Sequence, residues 1–323
     1  MIARTPAVVV LAVVLAAAVA VTSLLPACSK APKGAAKAGF NPEFLARPDG
    51  WDGVKKVYNF RFAAKPVMLQ SGLMYKACAD GEVDVICAFA TDGRIRAYDL
   101  LVLEDDKNAF PPYDAVPIAR RELLDRYPFL RDVVGRLSGK IDTETMRKLN
   151  LSVDREDDPL RPEEAARKFL EDNQYLDDRM APDSPEGTVR VGSKNFTEQR
   201  ILSSILEQLI EHHTNLTVDR ISNLSSDRIN PALRNDELDL YVEYTGTGLM
   251  NVLKLDPMSD AEKVYDLVKG EFQDKWNVVW MEPLGFDNSY TLTMRKAHAE
   301  KLGIKTISDL AEYVRTHAGS AAE

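Results

Sequence analysis

Thr188-Val-Arg-Val-Gly-Ser-Lys-Asn-Phe-Thr-Glu-Gln-Arg-Ile-Leu-Ser-Ser-Ile-Leu-Glu-Gln-Leu-Ile-Glu-His212 is the stretch on which the fold turns. Thr188–Gly192 alternates polar and apolar residues and reads as a strand, and Thr197–His212 reads as an amphipathic helix. A strand, a short polar turn and a helix in one unit is the α/β signature. The same alternation runs outward in both directions. Upstream, Val83–Phe89 reads as a buried strand that follows a helix over Ser71–Ala79 and a turn at Asp80-Gly81. Leu100–Leu103 reads as another strand, ended by Glu104-Asp-Asp-Lys107. Arg121–Leu137, Thr143–Leu149 and Pro162–Glu171 read as helices, the last with proline near its start, where the missing N–H costs nothing. Downstream, Leu238–Val242 and Val278–Met281 read as strands, and Ala297–Leu302 and Ser308–Thr316 as helices. Asn173–Gly187 carries Pro182, Asp183, Ser184, Pro185 and Gly187 and reads as a linker.

The composition removes several function classes. With 45% hydrophobic and 28% charged residues, the 323-residue chain has too much apolar material to be a disordered polar chain. Its length implies about two domains. Lys and Arg number 41 against 50 Asp and Glu, a net charge of −9, and no basic run stands out. A nucleic-acid binder needs a cationic footprint, so that class is excluded. Three cysteines are too few for a disulfide framework or a four-cysteine zinc site, and no metal or other cofactor is expected. None of the common nucleophile-elbow, zinc-protease or phosphate-loop motifs occurs. Ser193 beside Lys194 lacks a recognisable base, so the protein is not expected to be an enzyme. His212-His213 lies near a helix end and reads as a surface cap rather than a metal site. Cys78, on a helix, and Cys87, on a strand, end at different heights, which favours free thiols over a disulfide.

The chain begins as a targeting segment. Arg4 is the only charge before Lys30, and Ala7–Val21 is almost wholly Ala, Val and Leu. That run is borderline for a span of about 20 residues and fits a signal peptide better. Leu25-Pro-Ala-Cys28 resembles a bacterial lipobox, with Cys28 as the lipidated residue. A plainly cleaved signal and a retained anchor helix are the alternatives. The small and polar residues 28–38 read as a flexible tether. The folded part is therefore expected outside the cytoplasmic membrane, anchored by lipid.

Four tyrosines stand at places where a pocket would form. Tyr244 follows a strand in Glu243-Tyr-Thr-Gly-Thr247, Tyr290 ends Phe286-Asp-Asn-Ser-Tyr290, Tyr75 lies on a helix, and Tyr98 follows Thr91-Asp-Gly-Arg94. Singly, each reads as a half-buried structural residue. Together they suggest an aromatic cage, which holds a quaternary ammonium by ring faces because such a cation has no N–H to donate.

Ser193-Lys-Asn-Phe-Thr-Glu-Gln199, Glu243-Tyr-Thr-Gly-Thr-Gly-Leu-Met250, Glu282-Pro-Leu-Gly-Phe286, Arg47-Pro-Asp-Gly50, Thr91-Asp-Gly-Arg-Ile95 and Leu103-Glu-Asp-Asp-Lys107 form a series of motifs. The series resembles the glycine betaine/carnitine/choline-binding proteins of osmoprotectant ABC transporters, from Gly39 nearly to the C-terminus. The resemblance implies a two-lobed α/β periplasmic-binding-protein fold of type II, with the ligand between lobes. It places Tyr75, Tyr98, Tyr244 and Tyr290 in the ammonium box, and Lys194 and Thr247 near the ligand's polar end. Gln199 is a further contact. Arg47 either binds a carboxylate or fixes the Pro48-Asp49-Gly50 turn, and Tyr241 is a reserve. Asn223-Leu-Ser-Ser-Asp227 departs from the Gly pair and Thr usual in the family, which leaves specificity open.

The order of the halves differs from the family, in which the segment resembling Thr188–Val314 comes before the one resembling Gly39–Leu170. The chain therefore reads as circularly permuted, with the old termini joined by the linker. The expected layout is a signal peptide over 1–27, a tether over 28–38, one lobe split between 39–103 and 289–323, and a continuous lobe over 104–288 that contains the joining stretch 171–187. A closed monomer is expected, a swapped dimer being the alternative. The expected function is capture of a quaternary-ammonium solute and its delivery to an ABC permease. The alternatives are a binding protein for another small solute such as an amino acid, and an enzyme or sensor on the same fold.

Overall fold

The computed structural model describes residues 35–317. Cys28, the lipobox and the apolar run before it lie outside the described residues. Among the described residues, no helix is long and apolar enough to cross a membrane.

Among the described residues, ten strands form two mixed sheets. They are β1 (Ala38–Phe40), β2 (Val67–Met68), β3 (Val85–Phe89), β4 (Leu100–Val102), β5 (Ala115–Arg120), β6 (Gly187–Lys194), β7 (Leu216–Leu224), β8 (Leu240–Tyr244), β9 (Val278–Trp280) and β10 (Tyr290–Arg295). The first sheet has the order β2-β1-β3-β10-β4 and the second β7-β6-β8-β5-β9. Both follow one plan: the second, first and third strands of a chain segment, then a strand from beyond a crossover, then the fourth. β1 runs parallel to β2 and β3, and β10 runs antiparallel to β3 and β4. β6 runs parallel to β7 and β8, and β5 antiparallel to β8 and β9. The chain thus passes from the first sheet to the second after β4 and returns after β9. The two crossovers lie side by side, bridged at Asp114 and Asp287.

Strand alternation explains the layering. Along β5, Ala115 and Ala119 join one buried cluster while Val116 and Ile118 join another. Along β8, Leu240, Val242 and Tyr244 share the first of these clusters and Tyr241 the second. Successive side chains point to opposite faces, so a sheet apolar on both faces needs helices on both. On one face lies the helix Thr197–His213, whose Ile201, Leu202, Ile205, Leu206, Leu209 and Ile210 are all at most 1% exposed. Burial stabilises by about 1.5–3 kcal/mol per such side chain, so a charge at Ile205 would undo the docking of this helix. The helix Ala261–Trp276 covers the other face through Val264, Val268 and Phe272.

The elements read from periodicity are present, with instructive differences, while others, the helix Ala261–Trp276 among them, were not read. The expected helix over Arg121–Leu137 is two, Arg121–Arg126 and Leu130–Gly135. Pro128 has no N–H and pushes the residue before it out of the helical region, and Tyr127 sits at φ −130°, ψ 71°. The helix expected over Thr143–Leu149 runs on to Asp154, started by Asp142, whose carboxylate accepts from the Thr145 N–H. Asn173–Gly187 forms no regular element before β6, yet it is docked. His213 holds it, its Nε2 2.8 Å from the Tyr175 carbonyl oxygen and its Nδ1 accepting from the Met180 N–H at 3.4 Å. The Asn215 amide donates to the Pro182 and Ser184 carbonyls. His212 Nε2 lies 3.0 Å from the Asp178 carbonyl oxygen, so both histidines pin the joining stretch. Cys78 and Cys87 are buried free thiols.

Candidate functional site

A cavity of about 470 Å³ lies between the two sheets. Its wall is built at strand ends. Phe89 ends β3 and Tyr244 ends β8, the third strand of each segment, so the two hold equivalent places in the two sheets. Tyr290 opens β10 directly opposite Phe89, just after the return crossover. Tyr113 stands at the other crossover, two residues before β5.

The aromatic rings are held firmly. The Tyr290 ring lies 4.9 Å from Phe89 and 5.0 Å from Phe44, centroid to centroid, with the Arg47 guanidinium at 5.8 Å. The Tyr244 ring stacks on Phe196 at 6.3 Å and carries the Lys194 ammonium at 4.9 Å. Its hydroxyl donates to Glu198 Oε1 at 2.6 Å and accepts from the Gln199 amide at 3.1 Å. Burial, followed by the Glu198 charge, pushes this phenol well above its usual range. Tyr113 donates its hydroxyl to Asp49 and accepts from Arg47.

Charged groups around the cavity are mostly paired. Arg47 bonds Asp49 through Nε at 2.9 Å and Nη2 at 2.8 Å and reaches Glu43 at 3.2 Å. Arg94 forks onto Asp92 at 2.9 and 2.6 Å. Lys194, 3% exposed, pairs with fully buried Glu243. Glu198 is also buried, and its oxygens accept from Thr91 Oγ1, Asn150 Nδ2, Tyr244 and Asn288 Nδ2. Burial pushes its carboxyl up, and these four donors pull the other way. Thr91 follows β3, whereas Glu198 lies on the helix packed on the second sheet and Asn150 on a helix packed against that one, so this cluster joins the two walls. Asn150 also donates to the Thr91 carbonyl at 3.0 Å, and Arg147 to that of Ala90 at 2.6 Å.

Of the residues expected in the site, Tyr244, Tyr290, Thr247, Lys194 and Arg47 line the cavity. Thr247 opens a π-helical turn, Thr247–Val252, directly beyond β8. Arg47 fixes the turn at Asp49, one of the two roles open to it. Three others stand behind the wall. Tyr75 is fully buried under Arg94, whose guanidinium lies 4.6 Å from the ring, and its hydroxyl accepts from the Phe89 N–H at 3.1 Å. Tyr98 caps the short helix Arg94–Ala97 and packs against the first sheet's core. Gln199 is buried, and its amide holds the Val242 carbonyl and the Tyr244 hydroxyl. The reserve residue Tyr241 lies on the far face of β8 and donates to Glu243 at 2.8 Å. The structure adds Phe89, Tyr113, Phe196 and Glu198 to the wall. Glu198 stood within the quoted motif beside Gln199, but its partners lie up to 107 residues away and leave no local pattern.

A family model for the substrate-binding domain of ABC-type glycine betaine transport systems matches residues 24–172 and 187–322. The carnitine transport binding protein of Listeria monocytogenes is 39% identical over 141 residues, 43% of this chain and 45% of the relative. The glycine-betaine-binding protein of Pseudomonas aeruginosa is 34% identical over 142 residues, 44% of this chain and 45% of the relative. Among solved structures, a glycine betaine/carnitine/choline ABC transporter is 36% identical over 44% of this chain and 51% of its own, with a TM-score of 0.38. The chain spans about half the length of the relatives it matches.

Proposed function

The chain belongs to the family of substrate-binding domains of ABC-type glycine betaine transport systems, and from that premise we propose that it captures a quaternary-ammonium solute outside the cytoplasmic membrane for an ABC permease. The ligand class is glycine betaine, carnitine or choline. The observation that carries this reading is the placement of Tyr244 and Tyr290, from different sheets, on the wall of one cavity that also holds Phe89, Phe196 and Tyr113. Ring faces attract a cation that has no N–H, at about 0.5–2 kcal/mol each. Thr247 and Lys194 are assigned to the ligand's polar end. The protein's role is binding followed by lobe closure, with no chemical step.

We assign the lipid anchor to Cys28 and the tether to the residues after it. One lobe comprises 39–103 and 289–323, and the other 104–288. The halves stand in permuted order within a closed monomer. Support for the permutation is that the family match falls into two stretches separated at 173–186, where the linker was expected. The docking of that stretch on His213 and Asn215 suits a fixed joint between old termini.

Titration calorimetry of glycine betaine, carnitine, choline and proline into the chain from residue 29 onward tests the ligand class. Binding of at least one of the first three, and none of proline, is the expected result. Binding of proline alone would transfer the site to amino acids. Solution scattering on the same sample should give the mass of one chain, and a doubled mass would favour the swapped dimer.

A further inference from the structure

The carboxylates around the cavity divide sharply by partner. Glu43 and Asp49 meet Arg47, Asp92 meets Arg94, and Glu243 meets Lys194. Among the described residues Asp154 has no ion pair, but it is only partly buried and feels Arg94 and Arg200. Glu198, 2% exposed, is different. Its Oε1 accepts from the Tyr244 hydroxyl at 2.6 Å and the Asn288 amide at 3.0 Å, and its Oε2 from the Thr91 hydroxyl at 2.5 Å and the Asn150 amide at 3.1 Å. All four donors are neutral, and among the described residues Glu198 has no basic partner. Two donors on each oxygen suit the ionised form, which accepts only. Yet neutral donors leave the charge itself uncompensated, and an uncompensated buried charge is costly.

We propose that Glu198 is the counter-charge that makes this cavity select a permanent cation, with Tyr244 carrying its influence to the ring face. The ligand's ammonium supplies the positive charge that the Glu198 cluster lacks. A phenol that donates to a carboxylate gains electron density in its ring, which deepens the negative face a cation meets. Glu198 is therefore a positioning residue, acting through Tyr244 and through the field in the cavity. Because Thr91 comes from the other wall, the same carboxylate ties cation binding to the approach of the two walls. The inference rests on the cavity being a quaternary-ammonium site, as proposed above.

The test compares each ligand with its carbon isostere, which has the same shape without the cationic centre: choline against 3,3-dimethylbutan-1-ol, and glycine betaine against 3,3-dimethylbutanoate. Affinities are measured on the full-length chain in detergent. In the wild type, the cation should bind far better than its isostere. Glu198→Gln keeps the size and removes the charge, and the cation-to-isostere ratio should fall by roughly tenfold or more. Glu198→Asp keeps the charge and should hold the ratio close to wild type even where both affinities drop. A purely structural role would weaken both ligands equally in Glu198→Gln, and an unchanged ratio overturns the proposal. Should that variant fail to melt cooperatively, Tyr244→Phe serves instead. It removes the hydroxyl link, so the ratio should fall about threefold, and an unchanged ratio there also overturns the proposal. If the wild type binds glycine betaine, carnitine or choline while the ratio ignores Glu198, only this inference fails. If it binds none of the three, the ligand class itself fails and takes this inference with it.

Discussion

Two buried carboxylates stand within reach of the Tyr244 residue and differ in what holds them. Glu243 is fully buried, pairs with Lys194, and accepts from the Tyr241 hydroxyl at 2.8 Å and the Tyr244 N–H at 2.9 Å. Glu198 is buried to nearly the same degree and is held by neutral donors alone. The first site is electrically closed and braces the end of β8 from within. The second is polar but uncompensated and lines the cavity. Burial alone therefore does not tell the two carboxylates apart. The sign and number of their partners do.

The sharpest way to break this contrast is to remove the basic partner of the closed site. Lys194→Met leaves Glu243 buried without a counter-ion and should cost about 3–5 kcal/mol of stability, read by urea unfolding. Adding Glu243→Gln should recover most of that loss. A single variant as stable as the wild type would show that the pair does not brace the fold.

Binding gives the next largest effects. Tyr244→Ala and Tyr290→Ala should each lose roughly one to two decades of affinity for glycine betaine or choline, at about 1.4 kcal/mol per decade. The Phe variants should differ from each other. Tyr244→Phe loses the bond to Glu198 and should weaken binding more than Tyr290→Phe, whose ring stays packed on Phe44 and Phe89. Equal Phe effects, read by calorimetry, would disconnect Glu198 from the ring.

A smaller effect is expected where the crossovers meet. Burial and the nearby Asp287 charge push Asp114 up to about 6. The folded chain then holds this proton to higher pH than the unfolded chain does. The ionised group costs stability, so stability falls as pH rises from about 4 through 6. Asp114→Asn should remove that cost and gain on the order of 1 kcal/mol above pH 6, after allowance for solvent screening, with little gain below pH 4. Melting curves at pH 4 and pH 7 test the sign, and a gain confined to the acid side would reverse it.

The smallest effect concerns the thiols. Burial pushes Cys78 up to about 11 and Cys87 up to about 12, so neither is a thiolate at pH 8. In the chain from residue 29 onward, iodoacetamide at pH 8 should label neither cysteine before unfolding and both in urea. Rapid labelling of the folded chain would place a thiol nearer the surface.

Much of the fold was legible because its elements carry local periodicity. Ser71–Ala79 is a helix as read, and Thr197–His213 extends its reading by one residue. β5 was not read as a strand. It places Pro117 opposite Val242 between two neighbouring strands, where sequence pattern argues against a strand. The break at Pro128 is a proline effect that an apolar spacing running across it conceals. At the site, Tyr244 and Tyr290 were legible from the motifs that hold them. Tyr75 shares the region but points into the core beneath Arg94. Phe89 and Tyr113 belong to the wall only because two distant chain segments converge, and the character of Glu198 depends on partners from four separate places in the chain.

The most direct test of the account is a crystal structure of the chain grown with choline or glycine betaine. The trimethylammonium group should lie in the cavity, within about 6 Å of the Tyr244 and Tyr290 ring centroids and on the Glu198 side of the wall. A ligand whose ammonium lies away from both rings, beside Arg47 or Arg94, would contradict it.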